Sequence, residues 1–256
     1  MGLFDKKYCD VCGERIGLLG NRKLEDGNLC KDCARKLSPW FSERRNSSVN
    51  EIKRQLEYRE ENRGRVEAFH ITRTLGSGTK LLLDEDAGLF MVTSAKNIAE
   101  ANPDVLALSD VTGCTLDVEE SSKELLHEDK DGNEVSYNPP RYEYSYDFYI
   151  IVNVNNPYFN EMHFRINPNS VEISPPPSIR PGVTLRFNPE TNAEYKKYKQ
   201  LGEEIRQILV KVRDDAREKI EQAAAPKTAV SCPYCGATTT PDASGCCEYC
   251  GGALMG

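Results

Sequence analysis

Two stretches decide the fold. Near one end stand Cys9-Asp-Val-Cys12-Gly13 and, after 17 intervening residues, Cys30-Lys-Asp-Cys33; near the other stand Cys232-Pro-Tyr-Cys235-Gly236 and Gly245-Cys246-Cys247-Glu-Tyr-Cys250-Gly251. A pair of Cys-x2-Cys units lets four thiolates close on one tetrahedral Zn²⁺ at about 2.3 Å per Zn–S bond. The first metal set is therefore Cys9, Cys12, Cys30 and Cys33, and the second is Cys232, Cys235, Cys247 and Cys250. Cys246 with Cys250 is the alternative pairing, but only Cys247 gives the two-residue spacing, so Cys246 ranks below it. Two zinc ions per chain, both structural, are the expected cofactors. Disulfide frameworks belong to oxidising compartments, and no secretory segment accompanies these cysteines. Cys114, in a strand-like run, reads as a small buried hydrophobe.

Glycine after Cys12 allows a tight turn whose N–H groups reach the sulfurs. Cys30 and Cys33 precede Ala34-Arg35-Lys36-Leu37, so they are expected to open a helix, where free N–H groups favour thiolates. Between the pairs, Gly20-Asn21 predicts a hairpin joining 15–19 to 22–29, with Asp26-Gly27 as a second turn. Knuckle, hairpin, then knuckle plus helix is a treble clef. The spacing resembles that of GATA and LIM-type fingers, and the opening segment resembles an uncharacterised bacterial zinc-finger family, a domain of unknown function. The C-terminal cysteine run resembles a short zinc ribbon.

Working inward, Ser48-x-x-Glu51 is a capping box opening a helix with Val49, Ile52 and Leu56 on one face, ending near Asn62 to Gly64. Strand patterns follow: 69–75, a Gly76-Ser77-Gly78 turn, 80–83, the acidic turn Asp84-Glu85-Asp86-Ala87-Gly88 read as a solvated tip, 89–93, and a bent strand over 105–118. From Tyr142, period-two alternation puts Tyr144, Tyr146, Phe148, Ile150, Val152 and Val154 on one face, and 162–166 makes a further strand. After a Pro-rich crossing at 174–181, Asn188-Pro189 and Thr191-x-x-Glu194 signal a helix to about Ala223. Its stripe is Tyr195, Tyr198, Leu201, Ile205, Ile208, Val212, Ala216 and Ile220. That stripe either caps the strands or pairs with a second copy as a homodimer. The fold class is α+β, with 1–45 the treble clef, 46–63 a linker helix, 64–190 an antiparallel β-core, 191–223 the long helix, 224–230 a linker and 231–256 the ribbon. Strands followed by one helix, entered through Leu108-Ser109-Asp110-Val111, resemble a pleckstrin-homology-like domain.

The chain has 256 residues, 29% of them charged and 39% hydrophobic, with a net charge of −7. That composition disfavours wholesale disorder. The uncharged run 148–160 carries four asparagines and falls short of a membrane span. The start has no hydrophobic signal core, and Lys6 stands where myristoylation wants Ser or Thr, so a cytoplasmic location is expected. Asp129-Lys130-Asp131-Gly132-Asn133 opens like a Ca²⁺ loop, but Glu134 and Pro140 occupy the positions of the required Gly and Glu; a hairpin turn is expected instead. His70, His127 and His163 accompany no nucleophile, and Gly76 to Lys80 lacks phosphate-loop spacing, so no enzyme is expected. A hydrolase in the acidic core would need metal-dependent turnover to become credible.

Residues 1–63 carry 14 basic against 11 acidic side chains, residues 64–190 carry 10 against 20, and residues 191–256 carry 9 of each. This is a poor footprint for DNA or for phosphoinositides. The expected activity is protein interaction, with an unidentified protein partner; the alternative is a nucleic-acid binder using Lys31, Arg35 and Lys36 on the finger helix, near Arg44 and Arg45.

Overall fold

A computed structural model of the chain describes residues 6–174, 188–224, 229–242 and 245–254. The chain divides into two compact units, Met1–Asp214 and Asp215–Gly256. It is mixed α and β, with antiparallel sheets and a long helix near the C-terminus.

The first unit opens with two separate two-stranded ladders, β1 (Lys7–Tyr8) with β2 (Arg15–Ile16) and β3 (Arg22–Lys23) with β4 (Asn28–Leu29), then helix α1 (Lys31–Arg35). The Gly20-Asn21 hairpin does not form. β2 pairs back across the first Cys-x2-Cys turn to β1, and Leu18 and Leu19, expected in a strand, are 94% and 88% exposed. The Asp26-Gly27 turn closes β3 onto β4, with Leu24 N donating to Gly27 O at 2.9 Å.

Helix α2 (Val49–Ala68) starts at the full Ser48–Glu51 capping box, and Asp26 Oδ1 accepts from Val49 N at 2.7 Å. It runs past the expected stop at Gly64, because its last turn carries Val66 into a small core with Leu82, Met91 and Val105. Strand β5 is correspondingly short, Arg73–Leu75. It begins the antiparallel sheet β5-β6-β7-β8, with β6 Lys80–Asp84, β7 Leu89–Thr93 and β8 Leu106–Ala107; the four-residue helix α3 (Ile98–Ala101) lies between β7 and β8. This sheet is covered on both faces. Leu82 and Met91 face α2, while Leu81, Leu83, Phe90 and Val92 join the main core, which accounts for the unbroken apolar run of β6.

The second sheet is built on a long hairpin, β9 (Val111–Glu128) and β10 (Glu134–Val154), turned at Asp129 to Asn133. Asp129 N donates to Asn133 O at 2.9 Å to close the hairpin, and Asp129 Oδ1 accepts the N–H groups of Asp131 and Asn133 at 2.9 Å each inside the turn. On its other edge β10 pairs first with β12 (Val171–Ile173) and then with β11 (Glu161–Arg165). Tyr146, Phe148, Ile150, Val152 and Val154 are buried in the alternation expected of them, whereas Tyr142 stays exposed. From Ser121 to Glu143 no side chain is buried, so that end of the hairpin stands clear of the core.

Helix α4 (Ala193–Ala224) completes the core with Tyr195, Tyr198, Ile205 and Leu209. It starts later than the Asn188-Pro189 signal implied: that pair caps a separate 3-10 turn, and Asn192 Oδ1 accepts from Glu194 and Tyr195 to cap the helix itself. Gly202 lets helix and sheet approach closely, since a Cβ there would lie 2.5 Å from Leu116 Cδ1. Leu209, outside the expected stripe, is fully buried; the side chains of Val212, Ala216 and Ile220 lie outside the described residues, as do most of the Pro-rich crossing and residues 225–228 of the expected linker. Cys114 is only partly buried, packed at the edge of the core, where desolvation pushes its thiol up to about 12.

Asp84 corrects the reading of the acidic turn. It is buried, and its carboxylate accepts from His70 N and Ala87 N at 2.9 Å each, so it organises the turn from inside. A separate buried polar seam joins the Cys-rich end to the sheets. Arg59 Nη1 donates to Asp104 Oδ1 at 2.7 Å, Arg59 Nε to Lys36 O at 3.2 Å and Ser38 Oγ to Asp104 Oδ2 at 2.8 Å. Asn62 bonds Asn102 and Pro103 and accepts from Val105 N.

Candidate metal centres

The turn after a first cysteine is built three times on one pattern. Gly13 N donates to Cys9 O at 2.8 Å, Gly236 N to Cys232 O at 2.9 Å and Gly251 N to Cys247 O at 2.8 Å. The three glycines have φ of 76°, 73° and 72°, a region closed to most L-residues. In each case the cysteine N–H donates in turn to the residue just past the knuckle: Cys9 N to Glu14 O, Cys232 N to Ala237 O and Cys247 N to Gly252 O. The fourth pair differs: Cys30 is the N-cap of α1, and its Sγ accepts from Cys33 N at 3.3 Å.

Each half of the chain thus gathers four sulfurs. Cys9, Cys12, Cys30 and Cys33 form one group, and Cys232, Cys235, Cys247 and Cys250 the other, with all sulfurs in a group within 4.8 Å of one another. Cys246 is not in the second group; its N–H donates to Asp242 Oδ1 at 2.9 Å. The Cys12–Cys30 sulfurs are 3.7 Å apart, Cys232–Cys250 3.6 Å and Cys235–Cys247 3.7 Å. Four sulfurs at about 2.3 Å from one Zn²⁺ must sit about 3.8 Å apart, whereas a disulfide needs about 2.0 Å. All ten cysteines are free thiols. The groups therefore fit a tetrahedral metal ion, zinc above all, and do not fit cross-links.

The polar surroundings fit the same ion. Burial alone would push the Cys9 thiol up, but N–H groups of Cys12, Cys30 and Val11 outweigh it and bring it to about 7; Cys30 N lies 3.3 Å from Cys9 Sγ. Cys232 is likewise drawn down to about 7, against burial, by the N–H groups of Cys235 and Tyr234. Their neighbours move the other way. Burial and the crowding thiols of Cys30 and Cys12 raise Cys33, and at Cys250 the Gly252 N–H is outweighed by Cys232 and Cys235, which lift it to about 12. Four sulfurs without a cation cannot all be anionic, and a central dication removes that conflict.

The first group is embedded. Cys9 and Cys33 pack with Ile16, Leu24, Leu29, Leu37 and Ile52 of α2. Asp10, inside the first Cys-x2-Cys, accepts from Asn28 N at 2.6 Å and pins the knuckle to β4, a role that spacing alone did not reveal. The local signal was its place between two cysteines, where a short carboxylate can reach a neighbouring ladder. The second group has β13 (Val230–Ser231) and β14 (Thr238–Thr239) for its first knuckle, with Tyr234 and Tyr249 each 72% exposed just ahead of Cys235 and Cys250.

The other candidates are not assembled into a site. His70, His127 and His163 are exposed, and the Asp86 carboxylate lies 4.0 Å from His70 Nδ1. Lys31, Arg35 and Lys36 are exposed on α1, with Arg35 bonded to Asp32 at 3.3 Å. Among the described residues no helix is long and apolar enough to cross a membrane. Residues 7–55 match a family described as a domain of unknown function, DUF4428, which takes in the first sulfur group and the start of α2. No curated protein and no solved structure matches the chain.

Proposed function

We propose that the chain is a non-enzymatic zinc protein that works as a protein-interaction module. In this reading a treble-clef finger, a pleckstrin-homology-like core and a zinc ribbon present surfaces to a protein partner. Each metal group has four cysteine ligands and no open position, the hallmark of structural rather than catalytic zinc. The observation that carries the interaction reading is the tip of the first module. Leu18 and Leu19, both large and apolar, are almost wholly exposed there, and Tyr234 and Tyr249 stand out in the same way from the second. Paired apolar side chains held in water by a rigid metal-bound scaffold are spent most usefully on a partner.

The test is a photo-crosslinking amino acid at Leu18 in the zinc-loaded chain, read by mass spectrometry in the native host. Protein adducts that vanish when Leu19 is changed to Asp are expected; adducts to nucleic acid alone would favour the competing reading, in which α1 binds a polynucleotide through Lys31, Arg35 and Lys36. That reading draws less support, because Arg35 is already paired to Asp32 and the bulk of the chain is acidic.

A further inference from the structure

In the first Cys-rich module, the β3–β4 hairpin and the 3-10 turn Glu43–Asn46 line a concavity of about 700 Å³. Arg22, Lys23, Arg44 and Arg45 line it, with Glu25 as the only acid among its lining residues. None of the four cations has a carboxylate within ion-pair distance among the described residues, although the chain as a whole is acidic. The guanidinium groups are held by main-chain oxygens instead. Arg44 Nη1 donates to Lys23 O at 2.9 Å, and Arg22 Nη1 to Leu19 O at 3.3 Å and Asn21 O at 3.4 Å. Carbonyl oxygens orient a guanidinium without neutralising it, and each of these two groups keeps further N–H donors. The mutual repulsion is felt: desolvation, then the charges of Arg45 and Arg22, lower the Arg44 pKa.

We infer that this concavity is a binding site for a phosphomonoester dianion. The inference calls for a different ligand from the proposed apolar contact at Leu18 and Leu19, which it adjoins through the Arg22–Leu19 O bond. Four cations against one carboxylate leave an excess that a single carboxylate ligand would not offset, whereas a phosphate brings up to two charges and three acceptor oxygens, enough to engage Arg22, Arg44 and Arg45 together. Four cations confined to one concavity, on a chain whose 64–190 segment is strongly acidic, suit one pendant phosphate and not the long basic track a polynucleotide requires. The phosphate reaches it either on a small metabolite or on a phosphorylated side chain.

The test is a titration of the full zinc-loaded chain, labelled with ¹⁵N, with inorganic phosphate against sodium chloride of equal ionic strength. Saturable shifts at the amides of residues 21–25 and 44–46 and at the Nε–H groups of Arg22, Arg44 and Arg45 are expected, with a dissociation constant on the order of 1 mM. Arg45→Glu should weaken binding tenfold or more. The Arg45 side chain is exposed and has no hydrogen bond or ion pair among the described residues, so its loss should leave the fold and zinc content in place. Arg44→Lys, which keeps the charge and loses the fork, should fall between the two. A phosphoserine peptide tighter than phosphate would assign the phosphorylated side chain, and a nucleoside monophosphate tighter than either would assign the metabolite; both uphold the site. Shifts that follow ionic strength whatever the anion, or that survive Arg45→Glu, would overturn it, as would a single-stranded oligonucleotide that binds there and is not displaced by phosphate.

Discussion

Removing the Asp104 carboxylate tests the polar seam most directly. Asp104 is fully buried and its Arg59 partner is only 7% exposed, with 2.7 Å between them. In Asp104→Ala the guanidinium keeps its bonds to Lys36 O and Asn102 O but loses the one counter-charge it has among the described residues, and Ser38 Oγ loses its acceptor. Deleting one partner of a buried pair costs about 3–5 kcal/mol, because the other charge stays desolvated and unpaired. Ser38→Ala removes the hydroxyl that donates to Asp104 and accepts from Trp40 N at 3.1 Å, strands no charge, and should cost about 1–2 kcal/mol. The chain's single tryptophan reports on this region: Trp40 follows Ser38 by two residues and packs edge-on against Phe164 of β11, with ring centroids 6.4 Å apart. Its fluorescence in a urea titration of zinc-loaded protein should place the Asp104→Ala midpoint far below that of Ser38→Ala. The double change Arg59→Met with Asp104→Leu should be milder than the sum of its parts by roughly 2 kcal/mol, since no charge is stranded. An Asp104→Ala midpoint no lower than that of Ser38→Ala would refute the reasoning.

Three further outcomes follow from single positions. Gln55 is fully buried in α2 with neither amide atom partnered among the described residues, so Gln55→Leu should raise the urea midpoint by the equivalent of about 1–3 kcal/mol; a lowered midpoint would show that the amide is engaged. Burial pushes the Asp84 carboxyl up, but the N–H groups of Ala87 and His70 outweigh it and hold the folded value below the ordinary 3.8. Its contribution is therefore present above the unfolded value and lost as pH falls through the folded one; Asp84→Asn should remove that part of the acid sensitivity, visible as a smaller midpoint difference between about pH 3 and pH 6. By elemental analysis, Cys247→Ser should lower zinc from two ions per chain to one and Cys246→Ser should leave two, and the reverse result would reassign the ligand.

What the sequence disclosed follows from how local each feature is. The sulfur groups were legible because spacing, glycine and ligand chemistry all lie within a few residues of each cysteine. The alternation of β10 was legible because a half-buried strand repeats every second residue. The seam was not. Gln55, Arg59, Asn62 and Val66 occupy one buried face of α2, yet three of the four are polar, and their partners Asn102, Pro103 and Asp104 lie some forty positions along the chain. A search for apolar periodicity instead picked Val49, Ile52 and Leu56, of which only Ile52 is buried. The misplaced hairpin at Gly20-Asn21 has a similar origin, since turn chemistry announces a bend without saying which strand the chain will return to.

The two sulfur groups should respond differently to metal loss, although their ligand sets are alike. Around the first, Ile16, Leu24, Leu29, Leu37 and Ile52 are buried, worth on the order of 10 kcal/mol of apolar transfer before chain entropy, and the seam ties the module to the sheets through Lys36 and Ser38. In the unit Asp215–Gly256 the buried side chains among the described residues are Cys232, Cys247 and Thr239, so apart from its ligands it has no apolar core to speak of. Metal binding of about 10–16 kcal/mol is then nearly the whole of its folding free energy, whereas for the first group it adds to packing that persists without it. A chelator titration followed by ¹⁵N amide spectra should collapse residues 230–254 to unfolded positions at the first loss of zinc, while amides of Leu24, Leu29 and Ile52 keep dispersed shifts after the second ion has gone. Simultaneous collapse of both groups would mean that the cluster around Cys9 and Cys33 is held by the metal alone, and that the seam does not anchor it.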